Sequence, residues 1–417
     1  MRTIKNAEIV AVGSELLTPH RIDTNSLFLT GRLNDLGVEV KTKGIVGDDR
    51  ALIADVLRSA LSRADVVVTT GGLGPTADDL TREVVAEVLD LPLEEDSRIV
   101  ELIRARFDRR GLRMPDINRR QAMVPRGATV LPNANGTAPG LLIEAGERVV
   151  VLLPGPPREL QPMFNGHVVD YLAGRTGGWC LRRRVIKIHG RSESQVEESA
   201  YPIYSSLGNE HVLVETTILA TPGQIELHLA GSGPEVAVVD AVLEAGVARL
   251  VETLGDVVFS LDGRALEVVV ADALLAGGLT IAAAESCTGG LFMSRLTEVP
   301  GSSAWVIGGL VAYSNDVKIR ELGVSPDLIA ADGAVSEAVA SAMADGVRMR
   351  LGASIGVGIT GIAGPTGGAP GKPVGTVVIA VAASSVAVKT FQFPGDREMV
   401  RRFSTSAALD MVRRSLS

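Results

Sequence analysis

Over the first third of the chain, short apolar runs alternate with stretches whose apolar residues recur every three or four positions. The runs at 8–12, 38–43 and 65–70 read as strands, the last as fully buried. Leu27, Phe28, Leu29, Leu33 and Leu36 mark a helix over 25–36, and a second runs from Asp48 through Leu61. The strand at 65–70 ends in Gly71-Gly72-Leu73-Gly74-Pro75-Thr76-Ala77-Asp78-Asp79-Leu80-Thr81. Strands at 131–139 and 141–151 are joined by a turn, and Pro154-Gly155-Pro156-Pro157-Arg158-Glu159 is a further strand end entering a helix. This alternation predicts a parallel, doubly wound α/β sheet with its ligand cleft at the carboxyl ends of the strands.

The pattern changes twice more. A Gly- and Arg-rich stretch at 172–184 reads as a linker, followed by a strand at 185–189 and an acidic helix from near Ser192. A hairpin at 216–220 and 224–230, a helix at 236–254 and a strand at 257–260 complete a small α+β unit. It resembles a KH-type arrangement but lacks a Gly-x-x-Gly clamp and a basic face, so a spacer or dimerisation unit is expected. A third unit begins near 262 with a helix at 265–275 and a buried strand at 279–284. That strand runs into Glu285-Ser286-Cys287-Thr288-Gly289-Gly290, after which Leu291, Phe292 and Leu296 recur at helical spacing. A strand at 305–313, helices at 317–322 and 336–351, and a strand at 354–359 leading into Thr360-Gly361 follow. Two strands, 375–382 and 385–393, precede a closing helix from Arg397. Three domains are therefore expected, at 1–172, 173–261 and 262–417, all of the mixed α and β class.

Composition narrows the classes. A net charge of −8 over 417 residues argues against a general nucleic-acid binder. Two cysteines exclude a disulfide framework and fit a reducing compartment. The first strand starts too near Met1 for a signal peptide, and apolar runs are interrupted short of a spanning length, so a cytoplasmic protein without membrane attachment is expected.

Chemistry concentrates at two strand-end clusters. In the first domain Glu15, Asp23, Asn25, Asp78 and Asp79 follow strand ends on one rim. Hard oxygen ligands of this kind suit a divalent cation bound with a pyrophosphate, whose oxygens the N–H groups of Gly71, Gly72 and Gly74 would cradle and Arg158 would contact. Helix capping accounts for Asp23 or Asp79 singly, not for four converging carboxylates. In the last domain the candidates are Ser286, Ser303, Tyr313, Lys318 and Thr360-Gly361, with no histidine present. A desolvated lysine can replace histidine as the base for a serine nucleophile, with a tyrosine assisting. Cys287 is the rival nucleophile, since thiols at helix N-termini are activated.

Several segments carry a family resemblance. Gly13-Ser14-Glu15-Leu16-Leu17, Asp23-Thr24-Asn25, Gly71 to Thr81, Gly136 to Gly140 and Pro154 to Glu159 resemble the CinA (competence/damage-inducible) proteins, whose first domain is similar to the molybdopterin-binding fold. Pro19 and Arg21 depart from the family's usual glycine and apolar residue. In the last domain Glu285 to Gly290, Gly301 to Trp305, Tyr313 to Lys318, Gly333 to Glu337, Thr360 to Pro365, Lys372 to Val377 and Phe393 to Arg397 closely resemble the family's nicotinamide mononucleotide deamidase domain.

The resemblance implies a three-layer αβα molybdopterin-binding-like domain, a KH-like middle domain and an α/β deamidase domain. It also implies two reactions. One is deamidation of nicotinamide mononucleotide without a cofactor, with Ser286 as nucleophile, Lys318 as base, Tyr313 assisting and Ser303 bonding the lysine or the substrate. Thr288, Gly289, Gly290, Thr360 and Gly361 would bind substrate, the oxyanion lying against N–H groups near Gly289, Gly290 or Gly361. The other is hydrolysis of ADP-ribose with a divalent metal (Mg, Mn or Co) on Glu15, Asp23, Asp78 and Asp79. A homodimer is the expected assembly. The alternative is a pterin- or nucleotide-binding, competence-related interaction protein without turnover in its first domain.

Overall fold

The computed structural model describes residues 3–416. The first segment runs β1 (Asn6–Val12), α1 (Thr24–Asp35), β2 (Glu39–Val46), α2 (Arg50–Arg63), β3 (Val66–Thr70) and α3 (Thr81–Val88). A short pair, β4 (Leu93–Glu95) and β5 (Met123–Pro125), brackets α4 (Ser97–Asp108). Strands β6 (Thr129–Leu131), β7 (Gly140–Ala145) and β8 (Arg148–Leu153) then lead to helices α5 (Pro157–Met163) and α6 (Val169–Ala173). The six-stranded sheet has the order β2-β1-β3-β8-β7-β6. Its first four strands are parallel and the last two antiparallel.

Side chains alternate across this sheet, as the pleat requires. Val68 and Val151 pack with Leu33 and Phe164 on one face, and Val67 and Val150 with Leu57 and Val84 on the other. Burying each such aliphatic side chain contributes about 2 kcal/mol, which only a sheet covered on both faces collects twice per strand pair. The result is a three-layer αβα arrangement. Because β1 runs to β2 on one side and to β3 on the other, a crevice opens at their carboxyl ends.

The middle of the chain contributes β9 (Cys180–His189), α7 (Glu193–Tyr204), β10 (Leu213–Thr221), β11 (Gln224–Gly233), α8 (Val236–Leu254) and β12 (Val258–Ser260). These strands order as β10-β11-β9-β12. By internal contacts the chain divides into two compact units, one of Met1–Arg182 with Gly208–Leu213 and Gly231–Val242, the other of the remainder. The segment read as a middle domain is thus apportioned between them.

The last part comprises α9 (Leu266–Ala276), β13 (Ile281–Glu285), α10 (Leu291–Thr297), β14 (Val306–Val311), α11 (Asn315–Leu322), α12 (Pro326–Asp332) and α13 (Glu337–Leu351). It closes with β15 (Ile355–Gly361), β16 (Thr376–Ala382), β17 (Val386–Gln392) and α14 (Arg397–Ser415). The sheet order is β14-β13-β15-β16-β17, parallel around β13 and antiparallel beyond β15. Ala283, Val357 and Ile379 pack with Leu266, Val270, Val400 and Leu409 on one face. On the other, Ala282 and Ala284 meet Met343 and Val347 of α13. Among the described residues no helix is long and apolar enough to cross a membrane.

Four details differ from the sequence reading. Both large sheets are mixed, because the tight turn between β7 and β8 and the ladders among β15, β16 and β17 force antiparallel pairing. Residues 132–139 form no strand: the Asn133 carboxamide oxygen accepts from the N–H groups of Asn135 and Gly136 and closes a turn instead. The linker is shorter than read, since β9 starts at Cys180. Glu285 closes β13 rather than opening the turn.

Candidate functional site

In the first unit the carboxyl ends of β1, β3 and β8 open on a cleft of about 820 Å3. Glu15, Asp23, Asp78, Asp79, Gly71, Gly72, Gly74 and Arg158 all line it, so every residue singled out there shares one cleft. Asp48, Arg106 and Arg110 also line it and were not singled out by the sequence reading, and Arg21, noted there only as a departure from the family pattern, lines it too. Gly71 adopts φ +95°, and a Cβ there would stand 2.1 Å from the Val12 carbonyl oxygen. Only glycine turns the chain so close to the neighbouring strand.

The carboxylates are partly committed to local structure. Asp23 caps α1 by accepting from the Ser26 N–H at 3.0 Å, and Asp79 closes its loop by accepting from the Thr76 N–H at 2.9 Å. Among the described residues no three His, Cys, Asp or Glu side chains are grouped so as to hold a metal ion. Two of the four expected carboxylates, Asp23 and Asp79, thus also serve as a cap and a turn closure while lining the cleft. The donors remain hard oxygens on one wall, which fits a cation that takes one or two carboxylates and draws its other ligands from a phosphate.

In the second unit, Ser286 follows β13 and its N–H donates to the Ile359 carbonyl at 2.9 Å, so it lies beside the end of β15 and Thr360. Lys318, on α11, is 1% exposed. Its Nζ lies 3.2 Å from Ser286 Oγ, 2.9 Å from the Ala312 carbonyl oxygen and 3.3 Å from that of Tyr313. All three contacts are neutral oxygens. Burial pushes the amine below the ordinary lysine value, opposed by the neighbouring Cys287. Cys287 is buried as well, and loss of solvent pushes its thiol up to about 12. A protonated, enclosed thiol is a poor nucleophile, which favours Ser286 beside the Lys318 amine.

Two expected partners are elsewhere. The Tyr313 side chain is 61% exposed, and its hydroxyl accepts from Arg397 Nη2 at 3.2 Å; its main-chain carbonyl is what meets Lys318. Ser303 is exposed on a short 3-10 turn and is not among the three oxygens at Lys318 Nζ. Thr360 is buried and donates to the Ala334 carbonyl at 2.8 Å, shaping the wall rather than facing a free group.

Three residues given no role by the sequence reading shape the loop of Ser286. Buried Glu285 accepts from the N–H groups of Gly290, Phe292 and Met293 at 2.9–3.1 Å. The Gly290 N–H is therefore spent and is no oxyanion donor. Arg401 of α14 donates through Nε and Nη2 to the Thr288 carbonyl, 113 residues away in sequence. Arg397 donates to the Gly364 carbonyl at 2.9 Å and to Tyr313. A carboxylate directly before the serine was the available signal for Glu285; nothing local marks Arg401.

Fold and site together define an α/β protein that joins a molybdopterin-binding-type domain to a domain with a buried serine–lysine pair. Residues 8–174 match the family described as a probable molybdopterin binding domain, and residues 263–416 match the CinA C-terminal domain. A CinA-like protein of Koribacter versatilis is 48% identical over 98% of this chain and 99% of its own length. A putative competence-damage inducible protein of Symbiobacterium thermophilum is 44% identical over 98% of each. The crystal structure of competence/damage inducible protein CihA from Agrobacterium tumefaciens is 40% identical, covering 36% of this chain and 93% of that one, with a TM-score of 0.35. The chain belongs to the CinA family.

Proposed function

We propose that the second unit is an amidase acting on nicotinamide mononucleotide. The observation that carries this is the 3.2 Å contact between Ser286 Oγ and the buried Lys318 Nζ, with no carboxylate on the lysine. A neutral amine held there accepts the Ser286 proton as Oγ attacks the carboxamide carbon. The tetrahedral oxyanion needs N–H donors, which the turn after Ser286, ahead of α10, would supply. Lys318 returns the proton to the leaving nitrogen, the C–N bond breaks, and ammonia departs. Water, deprotonated by the same amine, then cleaves the acyl-serine to give nicotinate mononucleotide. The substrate itself comes from the family resemblance. Ammonia release from nicotinamide mononucleotide, in chelator, is the test: wild type and Cys287→Ala are expected to be active and Ser286→Ala and Lys318→Ala inactive. An active Ser286→Ala enzyme would sink the mechanism.

For the first unit the reading is hydrolysis of ADP-ribose to AMP and ribose 5-phosphate. The cleft supports it by pairing glycine amides and arginines for a pyrophosphate with acidic oxygens. Glu15, Asp23, Asp78 and Asp79 would share a divalent cation with the phosphate oxygens, and the cation would neutralise charge on the pyrophosphate. One observation favours binding without turnover instead: no three acidic side chains are grouped for a metal among the described residues. Mg-dependent formation of AMP from ADP-ribose decides between the two, and its absence leaves a nucleotide-binding module.

A further inference from the structure

Arg82, on α3, is 0% exposed, yet it meets no carboxylate. Its Nη1 donates to the Arg120 carbonyl and its Nη2 to the Leu73 carbonyl, each at 2.9 Å, while Nε is buried without a partner. Glu83, the adjacent acid, is taken by Arg120 at 2.9 Å. Burial pushes the guanidinium below its ordinary value, and only longer-range attraction from Glu83 and Asp79 offsets the neighbouring Arg120. An arginine cannot discharge, so a full charge sits in the interior at considerable cost.

The position of that charge gives it a use. Leu73 belongs to Gly71-Gly72-Leu73-Gly74, the loop lining the cleft. Three successive carbonyls of this loop are committed to the start of α3. The Gly71 carbonyl accepts from the Thr81 hydroxyl at 2.9 Å, that of Gly72 from the Thr81 N–H at 3.1 Å, and that of Leu73 from Arg82. The Gly71 N–H is spent as well, donating to the Leu153 carbonyl at 3.0 Å, so the amides that can serve the cleft are those of Gly72, Leu73 and Gly74. With the loop's negative ends turned inward, a positive charge stands behind them.

We infer that Arg82 is a positioning residue for phosphoanion binding in the first cleft, holding the glycine loop with its carbonyls withdrawn and supplying a buried charge that a bound pyrophosphate group neutralises. This rests on the reading of the cleft as a pyrophosphate site, and goes beyond it by naming what makes the loop anion-seeking. Arg82 touches no ligand. It acts through the loop and through its field, which is strong where water is excluded.

The test is titration of the full chain with inorganic pyrophosphate, followed calorimetrically, for wild type, Arg82→Met and Arg82→Lys, with the thermal melt of each by circular dichroism. Arg82→Met is expected to melt cooperatively and to bind about tenfold or more weakly, about 1.4 kcal/mol. Arg82→Lys keeps the charge but not both carbonyl bonds, and is expected to bind between the two. If Arg82→Met does not fold, Arg82→Lys answers alone: weakened binding supports the inference, and binding at wild-type strength overturns it. Equal binding by wild type and Arg82→Met, or none by wild type, also overturns it. ADP-ribose turnover separates the two claims. Arg82-dependent pyrophosphate binding without AMP formation removes the hydrolytic reading and keeps this one; where AMP forms, Arg82→Met should raise KM with kcat little changed.

Discussion

A lysine surrounded by three neutral oxygens and almost no solvent is poorly placed to keep its charge. Its lowered value means the folded chain binds fewer protons than the unfolded chain between that value and the ordinary one near 10.4. Folding stability therefore rises with pH through this window, and so does the share of neutral base. Ammonia release should climb with pH and level off before a free lysine would titrate. Lys318→Ala should cut kcat/KM by about 10²–10⁴, the usual worth of a general base. Lys318→Met should also be more stable than wild type at neutral pH, by about 1 kcal/mol, since it replaces a desolvated amine with an apolar side chain of similar length. Cys287, held protonated, should resist iodoacetamide in the native state. Rapid alkylation with loss of activity would return it to the list of nucleophiles.

At the scale of elements, function depends on how loops are clamped to strand ends. Glu285 binds three amides at the start of α10, so Glu285→Gln should keep the sheet but loosen the Ser286 loop. A fall in kcat of about tenfold or more with KM nearly unchanged is expected, as for lost transition-state positioning. In the first unit Gly71→Ala should abolish phosphoanion binding or folding outright, because its Cβ would overlap the Val12 carbonyl in a backbone region alanine avoids. Much at this scale was legible in the chain. Apolar runs ending in glycine located β3, and the polar stretch after β13 located the serine. The lysine was legible by its place after a strand end. Illegible were the partners that arrive from afar: Arg401 reaches Thr288 across 113 residues, and no local periodicity records such a contact. Asp23 and Asp79 show the converse limit, since a carboxylate after a loop looks alike in sequence whether it caps a turn or faces a ligand, and here both close a turn or cap while lining the cleft.

For the molecule as a whole, the two sites belong to separate compact units. Ser286→Ala should leave any AMP formation from ADP-ribose unchanged, and Asp79→Asn should leave ammonia release unchanged. Cross-inactivation would argue against two independent activities. Acid stability has its own determinant in Asp410 on α14. Burial alone would raise its carboxyl, but bonds from His189, Arg414 and Arg413 outweigh it and hold it well below the carboxylate range. A depressed folded value contributes stability that is complete above the ordinary value near 3.9 and is lost as pH falls below it. Asp410→Asn should cost about 3 kcal/mol near neutrality and shrink the drop in melting temperature on acidification.

By itself the amino-acid sequence determined the mixed α and β class, the strand ends that carry chemistry and the serine and lysine of the second unit. These follow from period, turn residues and local composition, which act over a few positions. Tertiary structure alone decided three things. It set the direction of the outer strands, which pairing and turn geometry settle together. It brought the Lys318 amine, 32 residues away, to 3.2 Å from Ser286 Oγ, a contact no local pattern records. It also gave Asp23 and Asp79 of the acidic rim hydrogen-bond partners at the cleft wall, and brought the rim's carboxylates together in one cleft, which only folding does.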